Sequence, residues 1–189
     1  MYADLVQLSS TSHTYSGTSL GAGANSIDGS FTTYQGDGTA EAEGKPVSVN
    51  YTITSAHVFS TTYTLASIRY KLLGHTRSSF DGGQTWTLKM EYTTDGSTWL
   101  TISGTETTGS AGVGSTQTET GDTTNTVSIS GCKGVRAYIN VTASSSDGHV
   151  DSYGYIYEIQ AFPQIKKSYA GYIRMNAILD SKNTNRVSW

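Results

Sequence analysis

Two stretches far apart in the chain carry oxygen groups that suit a hard cation. A glycine-containing stretch near the start holds Asn25, Asp28, Ser30 and Thr33, and an apolar stretch near the end holds Glu158. Calcium prefers oxygen ligands from carboxylates, carbonyls and hydroxyls, so this pattern predicts a calcium site if the fold brings the two stretches together. The alternative interpretation is an ordinary turn at one stretch and an exposed strand glutamate at the other.

A second group of residues has the chemistry of a sugar site. A sugar needs an aromatic ring for the apolar side of the pyranose and planar donors for its hydroxyls. Two predicted loops, residues 74–83 and 144–154, offer such groups. The candidates are His75, Arg77 and Phe80 in the first loop and His149 and Tyr153 in the second. The alternative is two surface loops with scattered polar and aromatic residues.

Catalytic residues have weaker support in the sequence. Residues 17–21 fit the string of a nucleophile elbow, but no predicted strand precedes them and no predicted helix follows. The histidines show no pair at the spacing of zinc ligands. Paired carboxylates for glycoside hydrolysis stay open, although loop position explains the same residues more simply. They are Asp81, Asp95, Asp147 and Asp151. We therefore expect a binding protein with no catalytic residues.

Composition and charge narrow the class of protein further. The 189 residues are 14 % charged, rich in glycine, and carry a net charge of -3. A phosphate backbone requires a basic surface, so nucleic acid is not an expected partner. No apolar stretch is long enough to span a membrane, and the start lacks the features of a signal peptide. Cys132 is the single cysteine, so no intramolecular disulfide is expected.

Alternation of apolar and polar residues is the strongest structural signal. A period of two places side chains on opposite faces of a strand. It predicts strands over residues 47–53, 65–73, 86–92, 98–103, 126–130, 135–141 and 153–162. Asp–Gly turns within residues 79–86 and 93–99 predict two hairpins. Many strands and no helical stripe predict an all-β fold, an antiparallel jelly-roll β-sandwich.

Three regions fall outside the regular strand pattern. Residues 1–19 are predicted as an N-terminal arm, and residues 103–125, rich in glycine, serine and threonine, as a long exposed loop. Residues 164–189 are predicted as a C-terminal extension with an extra strand over residues 172–179. The domain itself is predicted to span residues 20–163.

Five short motifs in order resemble the discoidin family, also called coagulation factor 5/8 type C, which overlaps family 32 carbohydrate-binding modules. The motifs are Asp28-Gly29 and residues 65–70, 91–99, 134–139 and 157–159. The resemblance implies a galactose-binding-like jelly roll that recognises ligands through loops at one end. It also implies a structural calcium held by the Asn25 carbonyl, Asp28, Ser30, Thr33 and Glu158, and an arginine at about the position of Arg77 that contacts the sugar. The family more often has asparagine at the position of Ser30.

The function expected from these patterns is non-catalytic recognition of a glycan or cell surface. We expect the chain on a virion surface, for example as a phage decoration, tail or fibre protein, or in another extracellular place. The alternative is a structural assembly subunit that binds no sugar and contacts protein neighbours through its terminal arms. Either interpretation favours a homo-oligomer or a larger assembly.

Overall fold

The computed structural model describes residues 12–16, 30–34, 40–78, 82–146 and 148–164. Within these residues the chain forms nine strands, all of which pair in antiparallel fashion. They are β1 (Ser12–Ser16), β2 (Ala40–Gly44), β3 (Val47–Ser78), β4 (Gln84–Thr93), β5 (Leu100–Thr101), β6 (Thr107–Ala111), β7 (Gly114–Glu119), β8 (Thr123–Ser145) and β9 (Gly148–Pro163). The predicted all-β, antiparallel fold class is confirmed.

Two long strands, β3 and β8, build both layers of the sandwich. They pair with each other along both of their halves, and the register shifts between Val58 and Ser67 of β3. Such irregularities bend a strand pair, so the same two strands pass from one layer into the other. In this region of β8, Gly131 has a φ of +66°, a left-handed conformation that favours glycine.

The two layers are defined by the halves of β3 and β8. Sheet I contains residues 47–58 of β3 and 134–145 of β8, with β1, β4, β5 and β6. Sheet II contains residues 65–78 of β3 and 123–129 of β8, with β2, β7 and β9.

The hydrophobic core lies between sheet I and sheet II. A Cβ atom on Gly74 of β3 would lie 3.1 Å from Val141 Cγ1 and 3.2 Å from Leu88 Cδ1, and one on Gly154 of β9 would lie 2.9 Å from Ile139 Cγ2. Gly74 and Gly154 therefore face sheet I at close range. Because side chains alternate along a strand, the odd-numbered residues around them lie on the outer face of sheet II.

Residues 103–125 differ from the sequence prediction because they contain strands β6 and β7. β6 pairs with β4, and β7 pairs with residues 73–78 of β3. The Gln84 amide donates hydrogen bonds to the carbonyl oxygens of Gly112 and Gly114, which tie the β6–β7 connection to β4. Strands of serine, threonine and glycine give no alternating hydrophobic signal, so the prediction of one long loop was wrong. The strand predicted over residues 98–103 is only Leu100–Thr101.

The hairpin predicted over residues 93–99 is confirmed. Asp95 Oδ1 accepts hydrogen bonds from the backbone nitrogens of Thr98 and Ser97, both at 2.7 Å, and Gly96 has a φ of +89°. These bonds, led by the one from Thr98, hold the pKa of Asp95 well below its usual range. Asp95 is thus a turn residue. Residues 79–81 of the other predicted hairpin lie outside the described residues.

The predicted terminal regions are covered only in small part. Ser12–Ser16, inside the predicted N-terminal arm, form β1 and pair with residues 54–58 of β3. Residues 165–189, including the predicted extra strand, lie outside the described residues, and the domain boundaries stay a prediction. No helix in the described part of the chain is long and apolar enough to cross a membrane.

Candidate functional site

The structure brings four of the five predicted sugar-binding residues together on the outer face of sheet II. His75 and Arg77 lie on β3, and His149 and Tyr153 lie on β9. The register of these strands places His75 opposite Tyr153 and Arg77 opposite Asp151. The two segments predicted as loops are therefore largely strands, because β3 extends to Ser78 and β9 begins at Gly148. Phe80 lies outside the described residues.

Asp151 is the centre of this group. Its Oδ1 lies 3.4 Å from His75 Nε2, and its Oδ2 lies 3.4 Å from His149 Nε2 and 3.7 Å from Arg77 Nη1. The Asp151 side chain is only 12 % exposed, and its Oδ1 makes no hydrogen bond with any described residue. Buried polar atoms normally have a partner, so the Asp151 carboxylate is incompletely bonded, and its Oδ2 is the oxygen that lies beside the more exposed Arg77 and His149. We call Asp151, His75, Arg77 and His149 the Asp151 cluster.

An aromatic pair lies beside the Asp151 cluster. The rings of His75 and Tyr153 are stacked with centroids 4.3 Å apart and an interplanar angle of 11°. Burial lowers the pKa of His75, and the nearby charge of Asp151 opposes that shift. His75 is therefore largely neutral at pH 7. Its Nδ1 is also buried and has no hydrogen-bond partner among the described residues.

The edge of the cluster is open to solvent. The Arg77 side chain is 54 % exposed although it lies near the mostly buried Asp151. On the other side, Glu43 of β2 places Oε1 3.3 Å from His149 Nδ1, and the Glu43 side chain is 81 % exposed. The cluster therefore combines one buried carboxylate with cationic and hydrogen-bonding groups that a ligand can reach.

Sequence reasoning missed the central residue of this site. The sequence indicates Asp151 only as a candidate catalytic carboxylate in a loop, whereas it lies on β9 between two predicted binding residues. Alternation along β9 would have placed His149, Asp151, Tyr153 and Tyr155 on one face. The partner face of β3 could not be inferred without the strand register.

The predicted calcium ligands are described only in part. Asn25 and Asp28 lie outside the described residues. Ser30 Oγ accepts hydrogen bonds from the backbone nitrogens of Thr32 and Thr33, at 3.2 and 3.3 Å, within its own turn. Glu158 is fully buried on β9. Among the described residues, no group of three or more His, Cys, Asp or Glu side chains is arranged to hold a metal ion.

Arg69 links the two stretches from which calcium ligands were predicted. Its guanidinium lies 4.3 Å from the centre of the Phe31 ring, next to Ser30 in sequence. The hydrogen bond to Asp122 is the main cause that raises the pKa of Arg69, and the charge of Glu158 adds to it. The stretch 30–34 and the strand that carries Glu158 therefore lie on the same side of the molecule.

Cys132 does not have the surroundings of a reactive thiol. It is fully buried near the bend of β8, and burial raises the pKa of its thiol to about 11. A thiol with this pKa stays protonated at neutral pH, and the thiolate is the nucleophilic form.

Solved structures of carbohydrate-binding modules are similar to this chain at low identity. A pectin-binding module is 12 % identical, with 82 % of this chain and 91 % of that one covered and a TM-score of 0.38. A CBM32 module of AlyQ, solved with 4,5-unsaturated mannuronic acid, is 16 % identical, with 83 % and 98 % covered and a TM-score of 0.34. The N-terminal cellulose-binding domain of Cellulomonas fimi β-1,4-glucanase C is 10 % identical, with 74 % and 88 % covered and a TM-score of 0.33. No family model and no curated protein matches the chain.

Proposed function

We propose that the protein is a non-catalytic glycan-binding module whose site is the Asp151 cluster on the outer face of sheet II. The observation that carries the proposal is the buried Oδ1 of Asp151, which has no hydrogen-bond partner among the described residues while three potential donors surround the carboxylate at 3.4 to 3.7 Å. A sugar hydroxyl would bond to the carboxylate through Oδ2, which lies beside the more exposed Arg77 and His149 side chains.

The chemistry of the cluster matches that of a sugar. A pyranose offers neighbouring hydroxyls that both donate and accept hydrogen bonds. Asp151 would accept from them, and the exposed guanidinium of Arg77 would donate to them. The partly buried Tyr153 ring supplies apolar surface beside these groups.

Binding without catalysis is the better interpretation of these side chains. Glycoside hydrolysis uses two carboxyl groups placed on either side of the scissile bond. Here the second acidic side chain, Glu43, is 81 % exposed at the rim and contacts His149. Asp95, another candidate from the sequence, is bonded within its own turn.

A glycan array read with wild-type protein and two variants tests the proposal. We expect Arg77→Ala and Asp151→Asn to weaken binding to the recognised sugar by about 10- to 100-fold, since a hydrogen bond to a charged group contributes roughly 1.5–3 kcal/mol. The matched control is Lys89→Ala, a cation on the outer face of sheet I that pairs with a carboxylate, Glu91.

The control variant should bind as the wild type does, and thermal melting should show that all variants are folded. Absence of binding to any sugar by the wild type would overturn the proposal. Equal binding by wild type and both cluster variants would remove the Asp151 cluster as the site.

We also propose a structural calcium ion at the stretch that includes Ser30 and Thr33, with Glu158 as its carboxylate ligand. Support comes from the complete burial of Glu158 on β9 and from the contact of Tyr34 with Tyr157, which places the stretch 30–34 beside this part of β9. Chelation with EGTA should lower the melting temperature of the wild type and leave that of Glu158→Gln unchanged. Equal melting temperatures with and without EGTA for the wild type would contradict this proposal.

The location of the module on a virion or other extracellular surface stays a prediction from the sequence. So does assembly through the terminal arms. Size-exclusion chromatography with light scattering, on the full chain and on a version that ends after Gln164, tests assembly. A monomer in both cases would contradict it.

A further inference from the structure

A continuous row of aromatic rings extends from the Asp151 cluster along β9. After the His75–Tyr153 stack, the Tyr153 and Tyr155 centroids are 5.1 Å apart. Tyr34 stacks on Tyr155 with centroids 4.3 Å apart, and Tyr157 lies edge-on to Tyr155 at 6.3 Å. We call Tyr153, Tyr155, Tyr157 and Tyr34 the tyrosine row.

The tyrosine row is held in place by contacts between its own members. The interplanar angles are 11° between His75 and Tyr153, 31° between Tyr153 and Tyr155, and 29° between Tyr155 and Tyr34. Each ring therefore packs against the next. Tyr34 comes from a distant stretch and still lies on both Tyr155 and Tyr157. Side chains fixed in this way lose little conformational entropy when a ligand binds, which favours recognition.

The groups that the row offers to a ligand are ring edges and phenol hydroxyls, because ring faces are partly used in the stacking. Burial is the main cause that raises the pKa of both Tyr153 and Tyr157. Both hydroxyls are therefore protonated at neutral pH and can donate as well as accept hydrogen bonds. Tyr34 is 41 % exposed and forms the accessible end of the stack.

The positive charges near the row are paired with acidic groups. Lys71 Nζ lies 2.9 Å from Glu119 Oε1 and 4.2 Å from the centre of the Tyr157 ring. Arg69 Nε donates to Asp122 Oδ1 at 2.7 Å. An acidic polysaccharide would need cations that are not already compensated, and Lys71 and Arg69 are both paired, so the surface along the row favours an uncharged ligand.

We propose that the tyrosine row extends the Asp151 site so that it binds several consecutive units of a neutral glycan chain that runs along β9. The row is longer than a single sugar, which is about the size of one aromatic ring. The inference rests on the proposed function, since the first sugar unit occupies the Asp151 cluster. It adds the class of ligand, an internal stretch of a neutral chain rather than one terminal sugar.

Isothermal titration calorimetry with oligosaccharide ladders tests this inference. The probes are β-1,4-linked glucose, xylose and galactose oligomers of increasing length, with oligogalacturonate of the same lengths as the charged comparison. For the sugar that binds best, the affinity should rise at least tenfold from the monosaccharide to the longest oligomer. The oligogalacturonates should bind more weakly than neutral oligomers of equal length.

Variants separate the contribution of the tyrosine row to affinity from that of the Asp151 cluster, which binds the first sugar unit. Tyr34→Ala should remove most of the rise with chain length and leave monosaccharide affinity within about twofold of the wild type. Tyr138→Ala is the matched control, because Tyr138 lies on the outer face of sheet I beneath Lys89. Its affinities for oligosaccharides of increasing length should equal those of the wild type. Melting curves check that both variants are folded.

The outcomes distinguish the two proposals. A monosaccharide that binds through Arg77 with no gain for longer oligomers would overturn the inference and leave the proposed function standing. A rise with length that survives Tyr34→Ala, or tighter binding of oligogalacturonate, would also overturn the inference. No binding of any sugar would overturn both.

Discussion

The outer faces of the two sheets each carry a carboxylate surrounded by basic side chains, but the carboxylate is bonded tightly on sheet I and loosely on sheet II. On sheet I, Arg136 Nε donates to Glu91 Oε2 at 2.7 Å, and Lys89 Nζ lies 3.0 Å from Glu91 Oε1. The Arg136 guanidinium also lies 4.6 Å from the centre of the Trp99 ring. On sheet II, the Arg77 and His149 nitrogens approach Asp151 no closer than 3.4 Å.

The difference indicates which cluster stabilises the fold and which is suited to a ligand. Glu91 has both oxygens engaged by cations, and its side chain is 6 % exposed beside an Arg136 side chain that is 22 % exposed. The Asp151 carboxylate is also mostly buried, but its Oδ1 makes no hydrogen bond with any described residue and its arginine neighbour is 54 % exposed. A carboxylate and an arginine on one face therefore do not by themselves indicate a site; the looser bonding of Asp151 and the exposure of Arg77 favour a ligand on sheet II.

Breaking the sheet I cluster should give the largest change in stability. We expect Arg136→Ala to lower the free energy of unfolding by about 3 kcal/mol, because it removes the main partner of a buried carboxylate. Urea denaturation measures the change. Glycan affinity of the folded protein should stay within twofold of the wild type, and a tenfold loss of affinity would show that sheet I belongs to the site.

A change in the shared core tests how closely the two sheets approach each other. Gly154→Ala should lower the free energy of unfolding by about 1–3 kcal/mol, because the added methyl would lie 2.9 Å from Ile139 Cγ2 and 3.1 Å from Ile53 Cδ1. Gly112→Ala is the control, since a Cβ at Gly112 meets nothing within 4 Å. Equal denaturation midpoints for both variants would contradict the close approach of the sheets at Gly154.

The sheet II cluster should contribute little to stability. Arg77→Ala should change the free energy of unfolding by less than about 1 kcal/mol, because a loose and partly exposed ion pair contributes little. The same variant should lose glycan affinity. A loss of stability as large as that of Arg136→Ala would make the two clusters equivalent and remove the contrast between them.

The smallest expected effect is a pH dependence of stability that comes from His75 on sheet II. Burial lowers the folded-state pKa of His75 below 6.5, so the unfolded chain takes up its proton first as the pH falls. The contribution of neutral His75 to stability is therefore present above pH 6.5 and declines below it. Urea denaturation from pH 7.5 to 5.5 should show a weaker decline for His75→Gln than for the wild type. Identical slopes of unfolding free energy against pH for the two proteins would contradict the assignment of this pH dependence to His75.

Alternation predicted the main strands because their inward residues are apolar. Val135, Ala137, Ile139 and Val141 lie in the core as the pattern indicates. β6 and β7 were missed because their stability comes from backbone pairing and from Gln84, with little apolar burial.

The sequence predicted which residues form the candidate site better than it predicted where they lie in the fold. His75, Arg77, His149 and Tyr153 were identified from their chemistry, but the register that pairs His75 with Tyr153 depends on tertiary structure. Tyr34 could not be assigned to the same surface, because nothing local to its sequence connects it with Tyr155. Asn25, Asp28 and Phe80 lie outside the described residues and stay predictions.

The outer face of sheet II is the ligand-binding surface that we propose. Its most direct test is a titration of ¹⁵N-labelled protein with the sugar that binds best on the array, followed by amide chemical shifts. We expect the shifts to concentrate in residues 75–77 of β3 and 149–155 of β9, with residues 89–91 and 134–138 of sheet I unchanged. Shifts confined to sheet I, or to the hairpin over residues 93–99, would contradict it.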